Sequence, residues 1–363
     1  MGEPLKPLNI GIVGAGKISG AYLSTLERLT SLRLTAVTDL DPGRAEAVAM
    51  QARHEVAVVP DVAALVVRDD VDAVLNLTIP AAHAEVTLAV LAAGKHVYGE
   101  KPLAVSRQEA DAVLTAASGR GLRVGCAPDT VLGTGTQTAR KAVDDGLIGR
   151  PVAATAFMAS AGPEKWHPDP EFYYRKGGGP LLDMGPYYLS ALIHLLGPVV
   201  RVTGASSRPR TERTIGSGPR VGHSFPVEVD THITGVLEHA GGALSTLVMS
   251  FDMRAARLPR IELHGTDASL SVPDPNGFDG AVEIHRGDGW ETLPVSAGFP
   301  DAGRGVGLAD LAEALSAGRP HRASAALAAH VLDIMLTLMN AADQGHALPV
   351  TSTCERPAPV DGH

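Results

Sequence analysis

Cysteine is nearly absent from the 363 residues: only Cys126 and Cys354 occur, too few for a disulfide framework, so a reducing setting is expected. No run of about 18 uncharged apolar residues occurs, so no membrane span is expected. The opening residues, MGEPLKPLN, lack the apolar centre of a signal peptide, and a cytoplasmic location is the expectation. No Lys/Arg-rich arm is present and the formal net charge is −9, which argues against a nucleic-acid partner. Arg208, Arg210, Arg213 and Arg220 do cluster, but among Gly, Pro and Ser, and read as an exposed loop. Histidines are scattered without an H-x-x-x-H spacing, so no metal site is expected.

What is present begins with length, which is long for one hydrophobic core and suggests two domains. Leu8-Asn-Ile-Gly-Ile-Val13 reads as a short strand that ends in Gly14-Ala-Gly16-Lys-Ile-Ser-Gly20. Ile18, Tyr22, Leu26 and Leu29 then recur at helical spacing. Strand, glycine turn and helix is the context in which a G-x-G motif cradles a pyrophosphate. Gly14 permits the turn, the missing Cβ at Gly16 allows close approach, and the helix start presents N–H groups. Ser19 stands where a third glycine is usual, with Gly20 one place late. Ala15, Lys17 and Ile18 fall within the same cofactor-binding turn. Leu34–Thr38 is the second strand and stops at Asp39, 23 residues after Gly16. A carboxylate there accepts from ribose hydroxyls and repels a 2′-phosphate, favouring NAD over NADP, although Arg44 stands near enough to tolerate the phosphate.

Strand-like and helical stretches continue to alternate: Asp72–Asn76, His83–Ala93, His96–Tyr98, Ser106–Ala117 with Ser106 as cap, and Arg123–Cys126. This pattern predicts a parallel sheet with helices on both faces and a ligand crevice at the strands' carboxyl ends. Asn76, Thr78, Pro80, His83 and the turn Glu100-Lys101-Pro102 fall at such ends and are candidate cofactor contacts. After a helix over Thr134–Asp145, Pro151–Met158 opens a different pattern, and strand candidates dominate: Arg201–Thr203, Val229–Glu238, Ala243–Phe251, Arg260–His264, Ala268–Val272 and Ala281–His285. Short turns between them suit an antiparallel sheet. The expected division is therefore 1–126, a dinucleotide-binding domain, and 127–363, a substrate-binding and oligomerisation domain whose last helix packs back on the first. A helix over Leu181–Leu196 places Asp183 and Tyr187 on one side. The terminal helices, Gly307–Ser316 and Ser324–Ala342, read as packing, with His330 an interior or interface histidine.

Gly14-Ala-Gly16, Glu100-Lys101-Pro102 and Gly177-Gly-Gly-Pro-Leu-Leu-Asp183-Met-Gly, in that order, resemble the glucose–fructose oxidoreductase/inositol dehydrogenase/rhizopine-catabolism (Gfo/Idh/MocA) family. The resemblance implies an α/β N-terminal Rossmann fold and an α+β C-terminal domain with an open-faced, mostly antiparallel sheet. It implies a dimer or tetramer built through that sheet, and NAD(P)-linked oxidation or reduction of a sugar, cyclitol or related polyol. The family's catalytic lysine falls on Lys101 and its active-site aspartate on Asp183, while Pro102 matches a proline that often carries a cis peptide. Tyr187 stands where many members have an acid/base histidine. Trp166, His167 and His232 are further substrate candidates.

In the chemistry this implies, Lys101 polarises the reacting oxygen. Tyr187 exchanges the proton, its phenol acidified by the lysine charge, and Asp183 orients substrate hydroxyls. Two alternatives stay open: sugar 3-oxidation leading to cleavage of a glycoside with NAD recycled, and a nicotinamide-binding sensor without catalysis.

Overall fold

The computed structural model describes residues 6–362, and the statements below concern these residues. The chain divides into two compact units. One runs to Gly133 and resumes over Phe299–Leu332; the other comprises Thr134–Gly298 and the chain from Asp333 onward.

In the first unit the elements are β1 (Leu8–Val13), α1 (Ser19–Leu26), β2 (Leu32–Thr38), α2 (Pro42–Gln51), β3 (Ala57–Val58), α3 (Val62–Val66), β4 (Ala73–Asn76), α4 (His83–Ala92), β5 (His96–Gly99), α5 (Arg107–Arg120) and β6 (Val124–Cys126). The strands form one parallel sheet in the order β3-β2-β1-β4-β5-β6. Ile10, Ile12, Val74 and Leu75 are wholly buried, as strands covered on both faces require. The order reverses between β1 and β4, the switch point where a doubly wound sheet opens a crevice at its carboxyl edge. Helix starts follow the local chemistry: Asp41 accepts from the Gly43 N–H with Pro42 at the first position, and Ser106 accepts from the Glu109 N–H. The linear division at 126/127 moves to Gly133 and is supplemented by 299–332. The reason is main-chain pairing, because the Cys126 N–H donates to the Ala323 carbonyl at 3.0 Å and Gly125 bridges Ser324.

The second unit contains α6 (Thr134–Asp144), β7 (Pro151–Ala159), α7 (Pro180–Leu196), β8 (Val199–Ser207), β9 (Glu212–Thr214), β10 (Ser224–Pro226), β11 (His232–His239), β12 (Leu244–Ser250), β13 (Ile261–Gly265), β14 (Ser269–Val272), β15 (Glu283–His285) and β16 (Trp290–Thr292). Two helices follow, α8 (Val306–Ala317) in the first unit and α9 (Ala325–Gln344), within which the division falls; β17 (Leu348–Pro349) comes last. Nine strands make one sheet, β16-β15-β14-β13-β7-β12-β11-β8-β17. Among the described residues it is antiparallel except where β7 and β12 run parallel.

One face of this sheet is covered by α7, which lies across β7, β11 and β12. The later turns of α9 cover it too: Leu338 Cδ1 would stand 2.7 Å from a Cβ on either Gly204 or Gly235. Glycine at these two strand positions lets the helix settle directly on the backbone. Helix α9 has the length and hydropathy of a membrane-crossing segment. It is nevertheless a core helix of this protein, with Leu327, Ile334, Met335 and Leu338 buried and a buried Asp333 that accepts from the Thr351 and Ser352 N–H groups.

The arginine cluster departs from the exposed loop that the sequence suggests. Arg208 and Arg210 are exposed, but the Arg213 side chain, on β9, is only 1% exposed. Its guanidinium donates to Glu164 at 2.8 Å and to the Phe251 carbonyl at 3.0 Å, pairs with Asp252, and lies over the Tyr174 ring. Its partners are dozens of residues away in the chain, so no local pattern reveals the burial.

Candidate active site

A cleft of about 560 Å³ opens at the carboxyl edge of the first unit's sheet. Its floor is the turn after β1. Gly14 has φ +97°, and a Cβ there would come within 2.7 Å of the Leu77 carbonyl, so the turn closes backbone to backbone. A Cβ on Gly16 would meet nothing within 4 Å; the backbone here faces open space, as a pyrophosphate seat requires. Ser19, in place of the third glycine, is buried and its hydroxyl donates to the Gly16 carbonyl at 2.8 Å. A small side chain that folds back onto the turn thus takes the place of no side chain. Gly20 has open space about it and carries no such constraint.

Asp39 closes β2 beside this turn. Its carboxylate accepts from the Ala15 N–H at 2.6 Å and the Asp41 N–H at 2.8 Å, which fixes it at the cleft wall. Arg44 also lines the cleft and pairs with Asp41 at 3.5 Å, both largely exposed. Much of the remaining lining is apolar, Leu40, Val62, Ile79 and Val86 among it, and Leu40 and Ile79 are exposed large hydrophobic residues. Exposed apolar residues lining a cleft are suited to contact with a flat ring. These wall residues were not singled out from the sequence, although Leu40 directly follows Asp39. Gly14, Gly16, Asp39, Arg44 and Thr78 are thereby brought to one cleft.

Other candidates support the cleft from beneath. Asn76 is wholly buried; its amide donates to the His83 carbonyl and its oxygen accepts from the Thr78 N–H and hydroxyl. It shapes the turn after β4 and does not line the cleft. His83, also buried, has Nδ1 at 2.6 Å from the Pro102 carbonyl and Nε2 at 3.0 Å from the Thr78 carbonyl. It therefore ties the cleft wall to the turn that carries Lys101. Pro80 is exposed at the start of a short 3₁₀ turn before α4. Lys17 is exposed, and Ile18 sits at the start of α1.

Lys101 is half-buried, and its peptide bond to Pro102 is cis. The turn is braced by Glu100, which accepts from the Lys101 N–H at 3.1 Å and from the Tyr22 hydroxyl at 2.7 Å. Burial, with the Glu100 charge second, holds the Tyr22 phenol well above its ordinary pKa, so it acts as a donor throughout the working range. Further in lies Asp129, wholly buried, accepting from the Gly305 and Gly307 N–H groups at 2.7 and 3.0 Å. Burial pushes its carboxyl up to about 6, against the pull of those two amides. Asp129 was not visible from sequence, because its partners lie on the returning segment.

In the second unit, Asp183 falls in the first turn of α7, which begins at Pro180. Tyr187 lies one turn on and is 5% exposed. The two share a helix side as their spacing requires. His232, on β11, has Nδ1 at 3.0 Å from the Ser250 hydroxyl. Trp166 is 60% exposed, and His167 packs edge-on against Trp166, Phe172 and Tyr173. A cavity of about 270 Å³ adjoins Gly178 and Gly179 at the start of α7, and none of the sequence-derived site residues lines it. Among the described residues no three His, Cys, Asp or Glu side chains are grouped to hold a metal.

Comparison with known proteins accords with these two units. Residues 8–127 match the family described as oxidoreductase, NAD-binding Rossmann fold, and residues 136–271 match the GFO/IDH/MocA C-terminal domain. The chain is 32% identical over 289 residues to the dTDP-3,4-didehydro-2,6-dideoxy-alpha-D-glucose 3-reductase of Streptomyces antibioticus, covering 75% of this chain and 84% of that protein. It belongs to the Gfo/Idh/MocA oxidoreductase family. The inositol 2-dehydrogenase of Rhizobium meliloti (strain 1021) is 26% identical over 79% of this member and 82% of its own length. A crystal structure of an NAD-binding oxidoreductase from Klebsiella pneumoniae shares the fold, with TM-score 0.83 at 23% identity over 96% of this chain and 100% of that one. The family and the Rossmann unit make this an oxidoreductase of the nicotinamide-dependent kind.

Proposed function

We propose that the chain moves hydride between a bound nicotinamide and a secondary hydroxyl or keto carbon of a sugar, cyclitol or glycoside. The observation that carries this is the cleft built on Gly14, Gly16 and Asp39 beside the braced Lys101 turn. The named relatives support the substrate class: one is a deoxysugar reductase and another an inositol dehydrogenase.

The residues present fit a dinucleotide. The open space at Gly16 takes the pyrophosphate, the α1 start offers it N–H groups, and Asp39 suits ribose hydroxyls. When bound, the nicotinamide supplies or accepts the hydride. The Lys101 ammonium stabilises the negative charge that develops on the substrate oxygen. Tyr187 takes or returns the hydroxyl proton, the part that the family resemblance gives to a histidine at this place, and Asp183 orients neighbouring hydroxyls. NAD is the preferred cofactor, since the Asp39 carboxylate opposes a 2′-phosphate.

The test is a screen of sugars, cyclitols and glycosides, followed by NADH absorbance with product identification. With the best substrate, Lys101→Ala is expected to lower kcat about 100-fold or more while NADH affinity is kept. Undiminished turnover by that variant would remove Lys101 from the mechanism.

A further inference from the structure

Of two tryptophans, six tyrosines and six phenylalanines in the whole chain, four fall within nine residues: Trp166, Phe172, Tyr173 and Tyr174. Only Tyr174 is buried there. Trp166 and Phe172 are 60% and 55% exposed, yet their rings are organised. Phe172 and Tyr173 have centroids 4.0 Å apart, Trp166 and Tyr173 meet edge-on at 6.5 Å, and His167 stands among all three.

The segment bearing these rings is held firmly, at a cost in buried charge. Glu164 beneath it is 2% exposed, accepts from Arg213 at 2.8 Å and is hydrogen-bonded by the Tyr174 hydroxyl. The Gly216 N–H donates to the Glu164 carbonyl at 2.8 Å, and Arg220 pairs with Asp169 and Glu171. The β9–β10 hairpin therefore braces the aromatic segment from one side. From the other side, the Gly179 N–H donates to the Tyr173 carbonyl at 2.7 Å. A Cβ on Gly178 would come within 2.6 Å of the Phe172 and Tyr173 carbonyls. The aromatic group is thus fixed to Gly178 and Gly179, which lead into α7, with Gly179 one helical turn before Asp183.

Exposed rings on a rigid support, with Lys165, Asp169, Glu171 and Arg175 in the same segment, have the make-up of a carbohydrate-stacking surface: apolar faces for the C–H side of a ring and charges for its hydroxyls. We infer that Trp166, His167, Phe172 and Tyr173 form a subsite for a second ring, so that the substrate is a glycoside carrying an aryl group or another sugar rather than a lone monosaccharide. This rests on the reading of the protein as a sugar oxidoreductase, and it narrows the substrate class.

The test is binding by the full chain in the presence of NADH, using phenyl and methyl β-D-glucopyranoside and cellobiose as probes, followed by calorimetry. The phenyl glycoside, the disaccharide or both are expected to bind about ten-fold more tightly than the methyl glycoside. Trp166→Ala should bring the ratio close to one with NADH affinity unchanged, and Trp166→Phe should restore most of it. Equal binding of all three probes, or a preference unaffected by Trp166→Ala, overturns the subsite. So does a Trp166→Ala variant that changes only the sedimentation profile, which would mark a contact between copies. If the preference holds and Trp166 governs it while no probe or screened sugar is turned over, the subsite stands and the oxidoreductase assignment for sugars fails.

Discussion

Asp39 does two jobs that a single substitution can separate. Its carboxylate holds the Ala15 and Asp41 amides, and its charge disfavours a 2′-phosphate. Asp39→Asn keeps an acceptor oxygen for the Ala15 amide and removes the charge. The ratio of NADH to NADPH affinity is expected to fall about ten-fold, a change of about 1.4 kcal/mol, with a small change in Tm. Fluorescence titration of both cofactors checks this, and equal losses for the two would make Asp39 purely a scaffold residue. The position of Asp39 was legible in the sequence because it depends on one short strand and one turn, both local. The hydrogen bonds that Asn76 and His83 make were not. Both stand at strand ends as a cofactor contact would, but whether such a residue points into the crevice or beneath it depends on the Pro102 and Thr78 carbonyls, which spacing does not locate.

At the scale of elements, the strands and helices with a single strong signal came through: β1 from its apolar run, α5 from Ser106 and α7 from its apolar face. The short strands β9 and β10 did not, since an Arg- and Gly-rich stretch carries no alternation. Their worth lies in Arg213, whose charge is paired with Glu164 and Asp252 in other segments. Removing one partner of a buried ionic group leaves the others uncompensated. Arg213→Leu is therefore expected to destabilise the fold by about 3–5 kcal/mol, seen as a lower midpoint in denaturant. A loss of less than about 1 kcal/mol would mean that water reaches the pair and that the brace under the aromatic segment is weak.

Over the molecule as a whole, each unit is assembled from separated stretches of chain, and Asp129 shows how that couples to pH. It joins the first stretch to the returning one through the amides of Gly305 and Gly307. Its carboxyl is raised from the ordinary 3.8 to about 6 in the folded protein. Between those values the folded chain keeps a proton that the unfolded chain releases. This group's contribution to stability is fullest below pH 4, declines as pH rises, and is lost above 6, a difference on the order of 3 kcal/mol. Asp129→Asn retains an acceptor without the ionisation. Its Tm relative to the parent should rise as pH goes from 4 to 6 and level off beyond; a constant difference across that range would mean that Asp129 ionises as an exposed carboxyl does.

The contact between Gly14 and Leu77 is lopsided in what it demands of heredity. Position 14 meets the main chain of residue 77, including its carbonyl, and main chain is present whatever side chain is encoded there. Leucine 77 is therefore open to replacement by any residue that fills the same volume, whereas codon 14 has nowhere to go. In a saturation library selected for dinucleotide binding, two neighbours in space would show opposite tolerance, and the intolerant one would be the residue with no side chain at all.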